Sequence, residues 1–382
     1  MVRATRDGRR YGCYRDTDIT DQLNSSVKQH CAKPDTTSTT IAEWRFHVSL
    51  RTSQALFGLV GLLLIAPHHG AANERRRAAR TTQPPGYVQV KNWPKLPANN
   101  KLGQVTGVAV GTQQQIYIFH RADRKWTTPF PAETIRGHTL AAFNRQTGEL
   151  ISTLGEQKFI MPHGLSVDAP GNLWVTDVGS HQVHKISPRT GQILLTLGTA
   201  GIPGHDREHF ARPTDVSFSN NGTIFVTDGY INTRVVKFSR TGEYLGEWGS
   251  AGGQNGEFDL PHGITIFQER VYVCDRSNLR VQLFDLRGKY LDQWKGTQIG
   301  RPFGIATDHQ GWVYLIDGGD QPDHTRARVV ILDQRGHFKF TFNAARSDDR
   351  KNLGHDIAVD QEGAIYVADA WANCVRKFVR DH

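Results

Sequence analysis

Three histidines in this 382-residue chain open closely similar phrases: His163 in "MPHGLSVD", His262 in "LPHGITIF" and His355 in "NLGHDIAVD". A neutral imidazole is a favoured ligand for zinc and related divalent metals. Three of them with an open fourth position make a common catalytic arrangement. A single histidine before a strand reads more simply as a strand cap. The case for a metal rests on where the three stand relative to otherwise equivalent positions. Aligned at the residue that opens the first strand of each of six repeats, the chain reads Thr106, His163, Thr214, His262, Phe303, His355. Histidine occupies every second repeat. In a closed six-fold ring those repeats lie about 120° apart, which directs three imidazoles at one axis.

A second set of positions differs among the repeats. The residue after the Asp that ends the second strand reads Arg121, Val178, Gly229, Arg276, Gly318 and Ala370, with His120 replacing Asp in the first copy. Two arginines in repeats one and four face each other across a ring, and a guanidinium fork suits a carboxylate or other anion beside a metal. Surface arginines in loops are also common, so spacing alone leaves both readings open. Tyr230, in "DGYIN", follows on the same face. A phenol beside a cation is a usable general base, although loop tyrosines more often pack. The recurrent Asp177, Asp228, Asp275, Asp317 and Asp369 appear in five copies and therefore read as turn-makers rather than catalysts.

These residues must be positioned by the repeat itself, an apolar strand, a Gly-containing turn, a second strand ending in Asp, a short loop and a third strand. "HGLSVDAPGNLWVTDVGSHQVHKIS" (163 to 187) and "HDIAVDQEGAIYVADAWANCVRKF" (355 to 378) are two of the copies. Alternating apolar residues such as Leu173, Val175 and Ile224, Val226 give the period of two that marks packed strands. The turns "PGN", "NNG" and "RTG" place glycine where a hairpin needs positive φ. Copies begin near 106, 163, 214, 262, 303 and 355, and spacings of 41 to 57 residues each hold a four-stranded blade. The prediction is an all-β, six-bladed β-propeller over residues 101–382. The last copy ends after three strands near Phe378, so "GYVQVKNW" (86 to 93) is either the missing strand or a linker.

The repeat signature resembles the NHL family of propellers. More specifically, "IFHR", "MPHGLSVD", "WVTDVGSHQVHKI", "HFARPTDV", "FVTDGYINTRVVKFS", "LPHGI", "DRSNLRVQ" and "GHDIAV" resemble the peptidyl-α-hydroxyglycine α-amidating lyase family, in family order over about residues 105 to 378. The resemblance implies a catalytic zinc on His163, His262 and His355, substrate-contacting Arg121 and Arg276, and a catalytic Tyr230. It also implies a structural calcium held by the Asp356 carboxylate and the backbone carbonyls of Val108 and Leu165, oxygen donors that suit a hard cation. The implied reaction cleaves a peptidyl- or acyl-α-hydroxyglycine, a carbinolamide, into an amide and glyoxylate. The sequence departs from animal members at Leu353, where they carry methionine. It also departs at Ala211 with Ile231 and at Tyr272 with Leu283, where they carry paired cysteines. Two rival readings remain open. One is another metal-dependent lyase or hydrolase acting on small hydroxy acids or lactones, and the other is a non-catalytic exported NHL propeller binding protein or glycan.

Of the formal charge of +9, residues 1 to 80 carry +6, and the remainder holds no basic cluster interleaved with aromatics, so nucleic acid is not an expected partner. "QALFGLVGLLLIAP" (54 to 67) has the length of a signal-peptide core and is short for a membrane span. Small residues Gly70 and Ala72 suit cleavage after Ala72. The expected organisation is a polar extension 1–53, a signal core and cleavage region 54–72, a linker and closing strand 73–100, and the propeller. The implied product is a monomeric, exported protein, secreted or periplasmic, with no stable membrane insertion after cleavage; an uncleaved anchor is the alternative. Because polar residues precede the signal, the pattern predicts an over-extended reading frame starting in truth near Val48, which N-terminal sequencing of the precursor would test. Cys13 and Cys31 would then be absent, and Cys274 and Cys374 read as ordinary strand cysteines.

Overall fold

The computed structural model describes residues 86–322, 325–345 and 352–381. The expectations for residues 1–53, 54–72 and 73–85 lie outside the described residues. Among the described residues every regular element is a strand, and the strands form six four-stranded antiparallel sheets. Blades one to five begin with inner strands Val105–Val110, Pro162–Val167, Pro213–Phe218, Pro261–Phe267 and Pro302–Thr307, and each runs outward in chain order. Blade six runs Gly354–Val359, Ile365–Asp369, Cys374–Arg380, and its outermost strand is Tyr87–Gln89 from the N-terminal side. Tyr87 pairs with Arg380 and Gln89 with Phe378, so the two ends of the domain share one sheet. Inner strands of neighbouring blades touch all the way round, blade six against blade one included, and the ring is closed.

Burial explains the sequence pattern and corrects one detail of it. Second strands such as Leu173–Asp177 and Ile224–Asp228 are buried along their whole length, because both faces of each blade pack on a neighbour. Thr176 is therefore interior despite its polarity, and its Oγ1 donates to the Thr214 carbonyl. Only outer strands such as Ile193–Leu197 and Tyr244–Trp248 alternate between partly buried and exposed positions. Glycines in the expected turns do have positive φ, as at Gly171 (90°) and Gly222 (83°). Cys274 and Cys374 are strand residues, as expected. Tyr272 and Leu283 are direct register partners, so a buried apolar pair stands where the resemblance places a disulfide.

The recurrent aspartates hold the blades' loops. Asp177 accepts the N–H groups of Ile160 and Met161, both at 2.7 Å, and Asp228, Asp275, Asp317 and Asp369 accept the matching backbone donors. In blades three to six an arginine from the third strand completes each carboxylate: Arg234, Arg280, Arg328 and Arg376. The four aspartates are buried, as are Arg234, Arg280 and Arg376, while Arg328 is half-buried, and each loop closes on a charge-assisted hydrogen bond. Sequence reading recognised the aspartates but not these arginines, which differ in role from Arg121 and Arg276.

Blade one does the same work with an imidazole. His120 Nδ1 accepts N–H bonds from Gly103 (3.3 Å) and Ala122 (3.1 Å), a role that requires an unprotonated ring. Burial, and then the charge of His138, push its pKa from 6.5 down to about 4. Between those values the folded chain binds fewer protons at His120 than the unfolded chain does. Its contribution to stability is thus complete above pH 6.5 and falls away as pH drops toward 4, by about 3 kcal/mol in all. In urea unfolding at pH 7 and pH 4.5, wild type should lose about 2 kcal/mol more than His120→Asn, which keeps an acceptor oxygen. Equal losses in the two proteins would refute this role.

Candidate metal centre

The residue that opens each inner strand stands at a break in register. Pairing with the second strand is interrupted between Val105 and Gly107, Pro162 and Leu165, Pro213 and Asp215, Pro261 and Ile264, Pro302 and Gly304, and Gly354 and Asp356. Such bulges re-aim a side chain out of the regular pleat. Here they turn one residue per blade toward the ring axis, and in blades two, four and six that residue is His163, His262 or His355.

The three rings meet. Their centroids are 4.8 Å apart for His163 and His262, 4.6 Å for His163 and His355, and 5.0 Å for His262 and His355. One potential ligand atom from each residue lies within 4.8 Å of the others, and all three residues are buried. Each Nδ1 is 2.7 Å from a carbonyl oxygen of the next blade: His163 to Thr214, His262 to Phe303 and His355 to Thr106. A carbonyl can only accept, so each Nδ1 carries the proton and each Nε2 keeps its lone pair. The non-histidine blades thereby orient the histidines. Glycine after the histidine has the same origin: a Cβ at Gly164 would sit 2.5 Å from the Thr214 oxygen, and one at Gly263 2.6 Å from the Phe303 oxygen.

His262 Nε2 is buried without a hydrogen-bond partner, and His163 Nε2 has the Tyr230 hydroxyl at 3.1 Å. An orphaned buried acceptor among three converging imidazoles is what a bound cation would satisfy. Burial first, then neighbouring cationic groups, hold His163 and His262 well below 6.5 and His355 at about 3, so all three imidazoles are neutral at physiological pH, the form that could hold a metal.

The expected anion-binding residues surround this cluster. Arg121 is buried, with Nε donating to Pro162 O (3.1 Å) and Nη1 to Gln104 Oε1 (2.9 Å), and its guanidinium lies 4.8 Å over Trp126. Desolvation lowers its pKa to about 10, which leaves it charged. The Arg276 guanidinium stacks at 4.6 Å on Phe303 and 5.6 Å from Tyr230. Both charges act on the histidines. Tyr230 lies in the loop after Asp228, with its ring 5.2 Å from His163 and 5.0 Å from Trp126. Thus the structure brings together all six residues expected at the zinc and substrate positions.

Beneath the histidines is a second layer. Asp356 accepts N–H bonds from Val108 (2.9 Å) and Ile357 (2.8 Å), and Asp215, in the opposite blade, accepts them from Ile264 (3.0 Å) and Val216 (2.8 Å). Both aspartates, with Val108 and Leu165, line an axial cavity of about 930 Å³. Burial, then the charge of Asp356, raises the Asp215 carboxyl well above its usual range, while burial raises Asp356 to about 7. Two carboxylates crowded on one axis fit a hard divalent cation better than they fit each other. Sequence reading missed Asp215, although Thr214-Asp215 occupies the positions of His355-Asp356 and aligning the neighbour would have revealed it.

Comparison with known proteins bears on this geometry. A family model described as a six-bladed β-propeller matches residues 204–378, and an NHL-repeat model matches residues 159–186. The chain is 35% identical over 308 residues to peptidyl-glycine α-amidating monooxygenase B of Xenopus laevis, covering 75% of this chain and 35% of that protein. It therefore spans about a third of the length of such relatives. It is 34% identical over 292 residues to a probable peptidyl-α-hydroxyglycine α-amidating lyase of Caenorhabditis elegans, covering 71% of this chain and 81% of that one. Among solved structures, a gluconolactonase from Xanthomonas campestris aligns with a TM-score of 0.54 at 15% identity, over 74% of this chain and 87% of the other; that likeness is one of fold.

Proposed function

Because the chain belongs to the peptidyl-α-hydroxyglycine α-amidating lyase family, we propose that it cleaves a peptidyl- or acyl-α-hydroxyglycine to an amide and glyoxylate at the His163, His262, His355 centre. The observation that carries this reading is the convergence of three Nε2 lone pairs, each fixed by an Nδ1 bond to a carbonyl, beside the Tyr230 hydroxyl.

A zinc ion held by the three imidazoles would supply a Lewis acid that acidifies the substrate hydroxyl. Arg121, whose hydrogen bonds to Pro162 and Gln104 use two of its five N–H groups, pairs with the substrate carboxylate, and Arg276 steadies the same charge from the opposite blade. That anchoring brings the α-hydroxyl to the Tyr230 oxygen. Tyr230, acting as the phenolate, takes the hydroxyl proton, the carbon–oxygen double bond forms, and the carbon–nitrogen bond breaks with its electron pair leaving on nitrogen. The proton passes to that nitrogen, which departs as the primary amide. Atoms balance with no water or redox partner consumed. The second layer would hold calcium on Asp356, with carbonyls of Val108 and Leu165 and a second carboxylate from Asp215.

The decisive assay incubates the purified protein with α-hydroxyhippurate and measures glyoxylate with and without chelator. Equimolar glyoxylate and benzamide, lost on chelation and restored by zinc, are expected. A zinc-loaded protein that releases no glyoxylate would overturn the reading. Metal analysis should find Asp356→Asn poor in calcium but not in zinc; calcium at the wild-type level would remove Asp356 from the second site.

A further inference from the structure

The loop between the second and third strands of blade one is unusually long. Residues 121 to 139 separate Gln115–His120 from Leu140–Asn144, whereas only 178 to 181 separate the matching strands of blade two. This segment carries Trp126 and Phe130, two half-buried aromatics packed edge to face with ring centroids 4.8 Å apart. It is anchored: Arg124 Nη1 donates to Glu133 O (2.6 Å) and to Ile160 O of the neighbouring blade (2.8 Å).

Trp126 touches two of the three residues that handle the substrate. Its ring centroid is 5.0 Å from that of Tyr230, and the Arg121 guanidinium lies 4.8 Å over it. One amide ties the arrangement together, since Gln104 Oε1 accepts from both Arg121 Nη1 (2.9 Å) and the Trp126 backbone N–H (3.2 Å). Phe130 extends the ledge outward, with the Arg212 guanidinium 4.4 Å over its ring. A substrate with its carboxylate at Arg121 and its hydroxyl at Tyr230 has one part unaccounted for, the acyl group on the amide side. Of the side chains packed on Arg121 and Tyr230, the half-buried indole of Trp126 offers that group an apolar face.

We propose that Trp126 and Phe130 form the subsite for the group preceding the α-hydroxyglycine and select aromatic or large apolar acyl groups there. The inference rests on the lyase reading for the direction in which the substrate lies. Indole and phenyl faces left partly open beside a polar centre gain most from covering apolar surface, and aromatic pairing adds to it. Gln104 is a positioning residue in this scheme, holding the carboxylate-binding arginine and the ledge in one register.

The test compares zinc-loaded enzyme on α-hydroxyhippurate, whose acyl group is benzoyl, and on N-acetyl-α-hydroxyglycine. Wild type should favour the benzoyl substrate by about tenfold or more in kcat/KM. Trp126→Ala should collapse that ratio, mainly through KM, while Trp126→Phe keeps most of it. Phe130→Ala, further from the anchored end, supplies a second variant if Trp126→Ala folds poorly. A ratio unchanged in the alanine variants, or an equal fall on both substrates, overturns the subsite. If wild type releases glyoxylate from neither substrate, it is the lyase reading that fails. Calorimetry with hippurate and N-acetylglycine then decides the ledge: a benzoyl preference lost in Trp126→Ala supports it, and no preference in wild type removes it.

Discussion

His163→Ala is expected to lower kcat/KM for α-hydroxyhippurate by at least about a thousandfold and to strip most of the zinc from the protein. Among the three ligands it should have the largest effect, because His163 alone both faces the axis and contacts the Tyr230 hydroxyl, at 3.1 Å. Its removal breaks the ligand set and releases the proposed base together. The fold should survive, since the Thr214 carbonyl that His163 holds still receives the Thr176 hydroxyl at 2.9 Å. Losing one such bond costs roughly 0.5–1.5 kcal/mol, which is small for a closed six-bladed domain. Metal content, urea unfolding and turnover separate the effects. A folded variant with wild-type zinc and near wild-type turnover would remove His163 from the site.

Tyr230→Phe should separate proton transfer from metal binding. The phenyl ring retains its packing against Trp126 at 5.0 Å and beneath Arg276 at 5.6 Å, and only the hydroxyl is lost. We expect kcat to fall by about 10²- to 10⁴-fold, the range of a general base, with zinc content and KM little changed. A kcat within threefold of wild type would show that another group takes the proton. Lost zinc would instead make the tyrosine a support of the metal site.

The ring and its three converging histidines were legible in the sequence because they depend on repetition. Six copies of one strand pattern define the blades, and departures from the consensus at His163, His262 and His355 stand out against Thr106, Thr214 and Phe303. What could not be read depends on contacts between copies. The register break that turns each histidine to the axis leaves no mark at the histidine itself, and the accepting carbonyls belong to backbone, which has no letter. Arg234, Arg280 and Arg376 were overlooked because a third-strand arginine reads as surface charge until the buried aspartate across the hairpin is placed. Asp215 was legible by aligning Thr214-Asp215 with His355-Asp356, but its nearness to Asp356 in the opposite blade follows only from ring closure. Gln104 and Trp126 belong to loops outside the repeated pattern, where alignment between blades has nothing to compare.

The hydrogen bond from His355 to Thr106 joins residues 249 positions apart, across the junction where the last blade meets the first. The strand Tyr87–Gln89, which precedes blade one in the chain, forms the outer edge of blade six. Loop-closure entropy grows only as the logarithm of length, so joining such distant segments costs about 3–4 kcal/mol more than forming a short hairpin. The third imidazole acquires its tautomer and aim only when that closure is complete. Binding of the proposed zinc would therefore be linked to circularisation of the chain. Saturating metal at a hundred times its dissociation constant would hold the junction shut by about 2.7 kcal/mol, and the release rate of zinc becomes a measure of how often the ring opens.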